Sequence, residues 1–355
     1  MRTVLIASTS PYSGKSGIAL SLLTVLADRG FNASYFKPYG AMPLTIDGVS
    51  TDEDAYHINK TLPHPSPVDA VCPVVRTSDF ITGVLSGSVG EQTRAVSAAF
   101  ATCAAGRDVV VVEGPTDSFQ GASVGISVPQ VAELLDARVL LVGRPIGGPD
   151  LPDSVICESH RLGGRLAGVV LNWVHEWQMD FVRTQTVPFI NKRGIPVFGI
   201  LPYEPVLSSV TVTEIVEALD GTVLSAEEHL DVAVESFMVG AMGQEKALRF
   251  FRRRARKAVI TGGDRADVQL AALETNTRCI ILTGNMPPSS LVVARAEELG
   301  VPMVLVDSDT LTAVERMESL MGRTRLHDDS KVALMKEMFG EAVDCDALLR
   351  AIGLG

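Results

Sequence analysis

Short, wholly apolar runs alternate with longer amphipathic ones along most of this chain. Up to about residue 205 the apolar runs predict strands over 3–8, 34–37, 109–113, 138–143, 166–173 and 197–201. Between them, positions of helical period predict helices near 15–29, 52–60, 78–86, 90–105, 128–136, 153–164 and 177–193. The run Val109-Val110-Val111-Val112 has no polar alternation, so both its faces are buried, as in a parallel sheet covered by helices. Pro202, Pro205 and Ser208-Ser209 interrupt the pattern and mark a boundary. A second α/β series follows, with helices over 211–219, 241–253, 265–274, 289–299 and 310–321 and strands over 258–261, 279–282 and 303–306. From 325 onward the pattern is one or two polar helices. The expected architecture is α/β throughout: a parallel-sheet domain over 1–205, a smaller α/β domain over 206–320 and a helical tail over 321–355.

Composition narrows the function. The 355 residues are 46% hydrophobic and 21% charged, enough apolar content for sizeable cores. The net charge of −11 excludes nucleic acid or an anionic membrane as the main partner, because both demand a basic footprint. Arg252-Arg253-Arg254 with Arg256 and Lys257 is the basic cluster, and it reads as a solvated helix C-terminus. Cys72, Cys103, Cys157, Cys279 and Cys345 are scattered and odd in number, the usage of reduced thiols in a cytoplasmic protein. Met1-Arg2 leads straight into a strand, so no targeting segment is expected. No apolar run approaches the ~20 residues of a membrane span.

The candidate chemistry begins at Ser8-Thr9-Ser10-Pro11-Tyr12-Ser13-Gly14-Lys15-Ser16, which joins an apolar run to an amphipathic helix. Strand, loop and helix in that order are the setting of a phosphate-binding loop. Backbone N–H groups of the loop and first helical turn would face an anion, and the helix dipole would favour it. Ser10, Ser13, Gly14, Lys15, Ser16 and Gly17 are the expected cradle, with Lys15 on the terminal phosphates and Ser16 on Mg²⁺. Thr9 replaces the first glycine of the G-x-x-x-x-G-K-[ST] pattern, so an ordinary backbone conformation is expected there.

Three further positions lie at predicted strand ends, where α/β sheets bind ligands. Lys37 would add a second positive charge at the phosphates. Glu113, after four valines, would be a metal-contacting carboxylate. Asn172 would read an adenine edge with its donor and acceptor, and Pro202 would wall the base. Asp52 reads as a helix cap and Asp54 as the second metal carboxylate, so the metal set is Ser16, Asp54 and Glu113. The histidines have no metal spacing.

Gly14-Lys15-Ser16, Phe36-Lys37-Pro38, Asp54-Ala55, Val112-Glu113-Gly114, Val170-Leu171-Asn172 and Gly199-Ile200-Leu201-Pro202 fall in the order seen in dethiobiotin synthetase. Over roughly 1–205 the chain resembles more closely the dethiobiotin-synthetase-like amino-terminal region of long phosphotransacetylases. Gly262-Gly263-Asp264-Arg265 and Leu282-Thr283-Gly284, followed by Asn285 in place of a final glycine, resemble the DRTGG domain of those proteins. The resemblance implies a P-loop NTPase domain of the dethiobiotin synthetase type and a small domain linked to regulation and ligand sensing. It also implies pairing across the nucleotide face as a homodimer. There are two departures. Pro115-Thr116-Asp117-Ser118 stands where dethiobiotin synthetase has a glycine-rich substrate loop. The residues after 315 are too few for an acetyltransferase domain of about 300 residues.

The expected function is a cytoplasmic protein that binds ATP and Mg²⁺ and regulates or senses metabolism, with Lys15 and Lys37 as its catalytic-type lysines. Two alternatives stand beside it: an ATP-dependent ligase that activates a carboxylate or carbamate, and a scaffold that binds no nucleotide. In the second domain, two glycine-containing turns leave neighbouring strands at one edge. Gly263, Arg265, Thr283 and Gly284 are therefore expected to form a second ligand or contact edge, with a small anionic metabolite as its ligand. Asp264 there is a candidate helix cap, and Arg265 in a first helical turn requires an acidic side chain or an anion as partner.

Overall fold

The computed structural model describes residues 1–145, 150–321 and 328–355. The chain divides into two compact units, one of Met1–Tyr203 with Arg325–Gly355, the other of Glu204–Thr324.

The first unit is built on six parallel strands: β1 (Arg2–Ser8), β2 (Ala33–Phe36), β3 (Val109–Glu113), β4 (Arg138–Gly143), β5 (Leu166–Val174) and β6 (Val197–Pro202). Their order is β2-β3-β1-β4-β5-β6. Every residue of β3 is buried, as its unbroken β-branched apolar run demands of a strand covered on both faces. The chain passes from one side of β1 to the other between β3 and β4. The crevice beyond the carboxyl ends of these strands is therefore the topological switch point. Ser8, Glu113, Gly143 and Asn172 stand at or near those ends.

Three local features differ from the sequence pattern. Between the expected strand 34–37 and the helix expected near 52–60, where the pattern assigns no element, the chain forms an antiparallel hairpin of Pro43–Ile46 and Val49–Asp52. Asp47 and Gly48 turn it with φ of 49° and 80°, the paired left-handed geometry that Asp-Gly favours. The helix expected over 177–193 is interrupted. Two α segments, Glu176–Phe181 and Val187–Asn191, flank a wider π segment at Val182–Thr186. Pro188 lacks an N–H and crowds the carbonyl four residues back, which loosens that turn.

The tail is the third difference. Helices Asp329–Ala342 and Cys345–Ala351 belong to the first unit and are not polar rods. Val332, Met335 and Phe339 repeat at helical spacing, and Met335 and Phe339 are buried. A Cβ added at Gly17 would lie 3.3 Å from Met335 Cγ, so this helix seats directly on the one that follows the phosphate loop. Val343 bridges to Gly199 on β6.

The second unit carries a five-stranded sheet: β7 (Thr222–Ser225), β8 (Ser236–Val239), β9 (Lys257–Gly262), β10 (Thr277–Thr283) and β11 (Met303–Leu305), ordered β7-β11-β10-β9-β8. β7 pairs antiparallel with β11 and the other pairings are parallel. The pattern identifies the three inner strands but not β7 and β8. Each of these edge strands is four residues long and only partly buried, so its apolar stretch is short: two residues in β7 and three in β8. The basic cluster also divides: Arg252–Arg254 lie exposed beyond helix Gln244–Phe251, whereas Lys257 is fully buried in β9. Its Nζ donates to Thr275 Oγ1 at 2.9 Å and to the Asn276 carbonyl at 3.1 Å. Burial lowers its pKa to about 8.

Candidate functional site

The loop between β1 and helix α1 (Lys15–Asp28) is held by its own serines. Ser8 Oγ donates to the Ser10 carbonyl at 2.9 Å, and Ser13 Oγ to the same carbonyl at 2.7 Å. Thr9 keeps an ordinary φ, and its N–H bonds the Val142 carbonyl. The left-handed positions are Tyr12 (φ 54°) and Gly14 (φ 81°). Gly14 also admits no side chain, since a Cβ there would stand 2.4 Å from Asn172 Nδ2.

Lys15 is buried. Its Nζ donates to Ser8 Oγ at 2.8 Å and to the Thr116 carbonyl at 2.9 Å. Burial is the main cause that brings its pKa down to about 8, with Lys37 adding to it and Glu113 opposing. Thr116 lies in the stretch that departs from the glycine-rich substrate loop. Asp117 fixes that stretch by accepting from Phe119 N and Gln120 N, both at 2.8 Å.

Below the loop lies an acidic well. Ser16 Oγ stands 3.0 Å from Glu113 Oε1 and 3.2 Å from Asp54 Oδ2, and its single proton can serve one of them at a time. Lys37 Nζ lies 2.8 Å from Asp52 Oδ1, 3.2 Å from Glu113 Oε1 and 3.6 Å from Asp54 Oδ2. Tyr35 donates its hydroxyl to Glu113 Oε2 at 2.7 Å. Asp52 caps helix α2 (Glu53–Lys60) through Ala55 N and also accepts from Met42 N. Asp52 and Glu113 are closed off, while the Asp54 side chain retains 21% exposure.

Three carboxylates and one ammonium leave this well with a formal charge of −2. Burial disfavours charge on Lys37, but Glu113, Asp52 and Asp54 outweigh it and hold the lysine protonated, its pKa well above the usual value. Burial, reinforced by Glu113 and Asp52 and opposed by Lys37, raises Asp54 to about 6. Among the described residues no group of three or more His, Cys, Asp or Glu side chains forms an all-protein metal cage. Two carboxylates and a serine hydroxyl beside a phosphate loop are nonetheless the donor set that Mg²⁺ uses, since it keeps waters and takes phosphate oxygens as further ligands.

At the other flank, Asn172 Nδ2 donates to the Ser13 carbonyl at 2.9 Å, so its amide nitrogen supports the loop. Trp173 follows with φ 61°, a strained conformation for a bulky residue. The Arg144 guanidinium lies 4.1 Å from the Trp173 ring centre, and its Nη1 donates to the Tyr12 carbonyl at 3.1 Å. Tyr203, next to the exposed Pro202, packs against Trp173 and His175. Sequence reasoning missed Arg144, Trp173, Tyr35, Ser8 and Thr116. The rule that picks out Lys37, a cation just after a parallel strand, also fits Arg144 after Gly143. Tyr35 is brought in by the pairing of β2 with β3, and Ser8 and Thr116 by the reach of Lys15, contacts that leave no local signal.

In the second unit, Arg265, Thr283 and Gly284 line a cavity of about 530 Å³ together with Gly262 and Asp264. Gly263 underlies the cavity: a Cβ there would collide with the Met286 carbonyl oxygen, so the two backbones touch. Arg265 finds its partner in Asp267, with Nε donating to Oδ1 at 3.1 Å, and its Nη2 also donates to the Met242 carbonyl. Asp264 does not cap the helix. The N-cap of Ala266–Leu273 is Arg265, with no side-chain capping bond, because the chain turns one residue later than expected.

Comparison with known proteins finds two families in the chain. A profile of the AAA domain family matches residues 2–211, and one of the DRTGG domain matches residues 214–320. The chain belongs to that AAA domain family. It is 24% identical over 345 residues to the phosphate acetyltransferase of Pseudomonas aeruginosa, covering 89% of this chain and 48% of that protein. It is 24% identical over 379 residues to the phosphate acetyltransferase of Deinococcus radiodurans, covering 100% of this chain and 52% of that protein. The chain thus spans about half the length of these relatives, consistent with their amino-terminal region. Among solved structures, the MinC:MinD cell division complex of Aquifex aeolicus matches with a TM-score of 0.37 at 16% identity, covering 58% of this chain and 84% of that one. The CBS and DRTGG domains of the Clostridium perfringens pyrophosphatase regulatory region match with a TM-score of 0.28 at 21% identity, covering 34% and 51%. Among the described residues no helix is long and apolar enough to cross a membrane.

Proposed function

We propose that the first unit binds ATP with Mg²⁺ and that the chain works as a cytoplasmic regulatory or sensing protein of metabolism. The observation that carries this reading is Ser16, directly after the phosphate-loop lysine, touching both Asp54 and Glu113. Ser16, Asp54 and Glu113 would hold the metal, which would screen the charge of the phosphates. Ser10, Ser13, Gly14 and Gly17 would present backbone N–H groups to the nucleotide, and Lys15 would turn from Ser8 and Thr116 towards its terminal phosphates. Lys37 would act through the carboxylates it now neutralises. Asn172 and Pro202 would flank the base, and the chain would pair as a homodimer across this face. The edge at Arg265, Thr283 and Gly284, supported by Gly263, would supply the sensing half.

Calorimetry and thermal unfolding with millimolar ATP, with and without Mg²⁺, test the reading. Binding and a rise in Tm that both depend on Mg²⁺ are expected. If neither occurs, the chain is a scaffold and the proposal fails. Phosphate release that appears only with a particular carboxylic acid and amine would move the function to a ligase. The glycine-poor Pro115–Ser118 stretch, already committed to Lys15 through Thr116, favours the regulatory reading over that one.

A further inference from the structure

The signature residues of the second unit are far apart in sequence, yet they meet around one cavity. Asp264 and Arg265 follow β9, and Thr283 and Gly284 end β10 and follow it. These are neighbouring parallel strands, so the cavity opens at the carboxyl edge where α/β sheets take ligands. Its size, about 530 Å³, lies within the usual range for small-molecule sites. The turn beneath it is already set: fully buried Gln269 donates Nε2 to the carbonyls of Gly262 and Gly263 at 2.9 and 3.0 Å.

The charges around the cavity decide what it accepts. Asp264 and Asp309 line it beside one cation, Arg265, which is already paired with Asp267. The local sum over those four residues is −2, which repels an anion. Asp309 spends its carboxylate on Leu311 N, Thr312 N and Thr312 Oγ1. Asp264 is exposed and caps nothing, so its carboxylate is placed to accept hydrogen bonds from a ligand. Thr283 and Thr310 share a hydroxyl contact at 2.8 Å, and Thr283 Oγ1 also lies 3.5 Å from the Thr261 carbonyl, so the pair keeps hydroxyl lone pairs at the cavity wall for a ligand's donors. Val239, Ile260 and Met286 supply apolar wall, and Met286 is 42% exposed at the rim. No three-donor metal cluster exists among the described residues.

We infer that this cavity binds an uncharged, hydroxyl-bearing ring compound of the nucleoside class. Asp264 accepts from the sugar hydroxyls, Thr283 and Thr310 bond the polar edge, and the base lies against Met286 and its apolar neighbours. In dinucleotide-binding α/β folds an acidic side chain about 20 residues beyond the glycine turn bonds a ribose hydroxyl, and Asp264 offers the same kind of acceptor just after the carboxyl end of β9. The inference rests on the sensing role proposed for this edge and replaces the expected anionic metabolite with a neutral one.

The test titrates adenosine and AMP into the full chain and into its Lys15→Ala, Asp264→Asn and Thr283→Val variants, read by calorimetry and ligand-observed NMR. Adenosine has no phosphate for the first unit to grip, so Lys15→Ala should leave its Kd unchanged. Asp264→Asn should weaken it about tenfold, the effect of losing one charge-assisted hydrogen bond. Thr283→Val should weaken it too, and AMP should bind the Lys15→Ala chain no more tightly than adenosine. Asp264 supports no structural bond, so its variant folds and the comparison holds. No binding at millimolar adenosine overturns the inference. So does binding lost with Lys15→Ala and kept with Asp264→Asn, which would assign adenosine to the first unit. Tighter binding of AMP than of adenosine to the Lys15→Ala chain would make the cavity an anion site and also overturn it.

Discussion

Both units set polar residues at the carboxyl edge of a parallel sheet, but they fill that edge in opposite ways. In the first, Ser16, Lys37, Tyr35, Asp52, Asp54 and Glu113 already satisfy one another and Lys15 is bonded to Ser8 and Thr116, so a ligand must replace internal bonds with its own. In the second, space is left open and Asp264 is uncommitted. A filled, buried site makes stability and binding depend on the same residues. An open site separates them.

The largest expected effect breaks that contrast if it fails. Asp52→Ala removes the closest counter-ion of buried Lys37 together with a helix cap. It should cost about 3–5 kcal/mol in a denaturant titration, as loss of one member of a buried ion pair does. A loss under about 1 kcal/mol would mean the well is wetter and looser than its distances suggest.

Next is Lys15→Ala. If the first unit holds Mg-ATP, ligand at one hundred times Kd stabilises the unsubstituted chain by about 2.7 kcal/mol, and the variant should show none of it. A Tm rise that survives the substitution would place the nucleotide elsewhere.

A smaller effect concerns Lys257, buried in β9 without a carboxylate on its nitrogen. Its folded-state pKa of about 8 lies below the ordinary lysine value near 10.5. Between those values the unfolded chain binds more protons than the folded one, so this group makes stability rise with pH. The slope is at most about 1.4 kcal/mol per pH unit. Lys257→Met should flatten the difference in stability between pH 8 and pH 10. An unchanged difference would show that Lys257 keeps its charge when folded.

The smallest effect is Asp264→Asn, which should change stability by no more than about 0.5 kcal/mol, as at other surface positions without a structural bond. A larger loss would mean that the second edge, like the first, is built for its own stability.

The strands that carry both sites were legible because burial on two faces forces continuous apolar runs. Val109–Val112 and Cys279–Leu282 are the clearest cases. The phosphate loop was legible because Gly14-Lys15-Ser16 needs only a strand before it and a helix after it. The hairpin at 43–52 carried a usable signal in Asp47-Gly48 that a search for buried runs passes over. Strands β7 and β8 carried only a weak one, being four residues long and partly exposed at the sheet edges. The tail helix reads as polar in sequence because its charged face dominates the composition while Val332, Met335 and Phe339 form a narrow stripe. Within the site, Glu113 could be named from its place after four valines. Its partner Tyr35 sits on the neighbouring strand β2, and only the pairing of β2 with β3 brings the two together.

The return of the tail to the first unit has a consequence for how the chain is made. Arg2 Nε donates to the Gly353 carbonyl at 3.1 Å, and Met335 rests on Gly17. Segments 351 residues apart therefore belong to the same core. At about 5–20 residues per second, the first unit must wait on the order of ten seconds while Glu204–Thr324 is synthesised before its last helices arrive. Until then the apolar side of α1 around Gly17 is uncovered, whereas every strand of the second unit has already been made. The later-encoded unit can thus complete its fold first, and the nascent phosphate-loop unit is the part of the chain with most need of a chaperone.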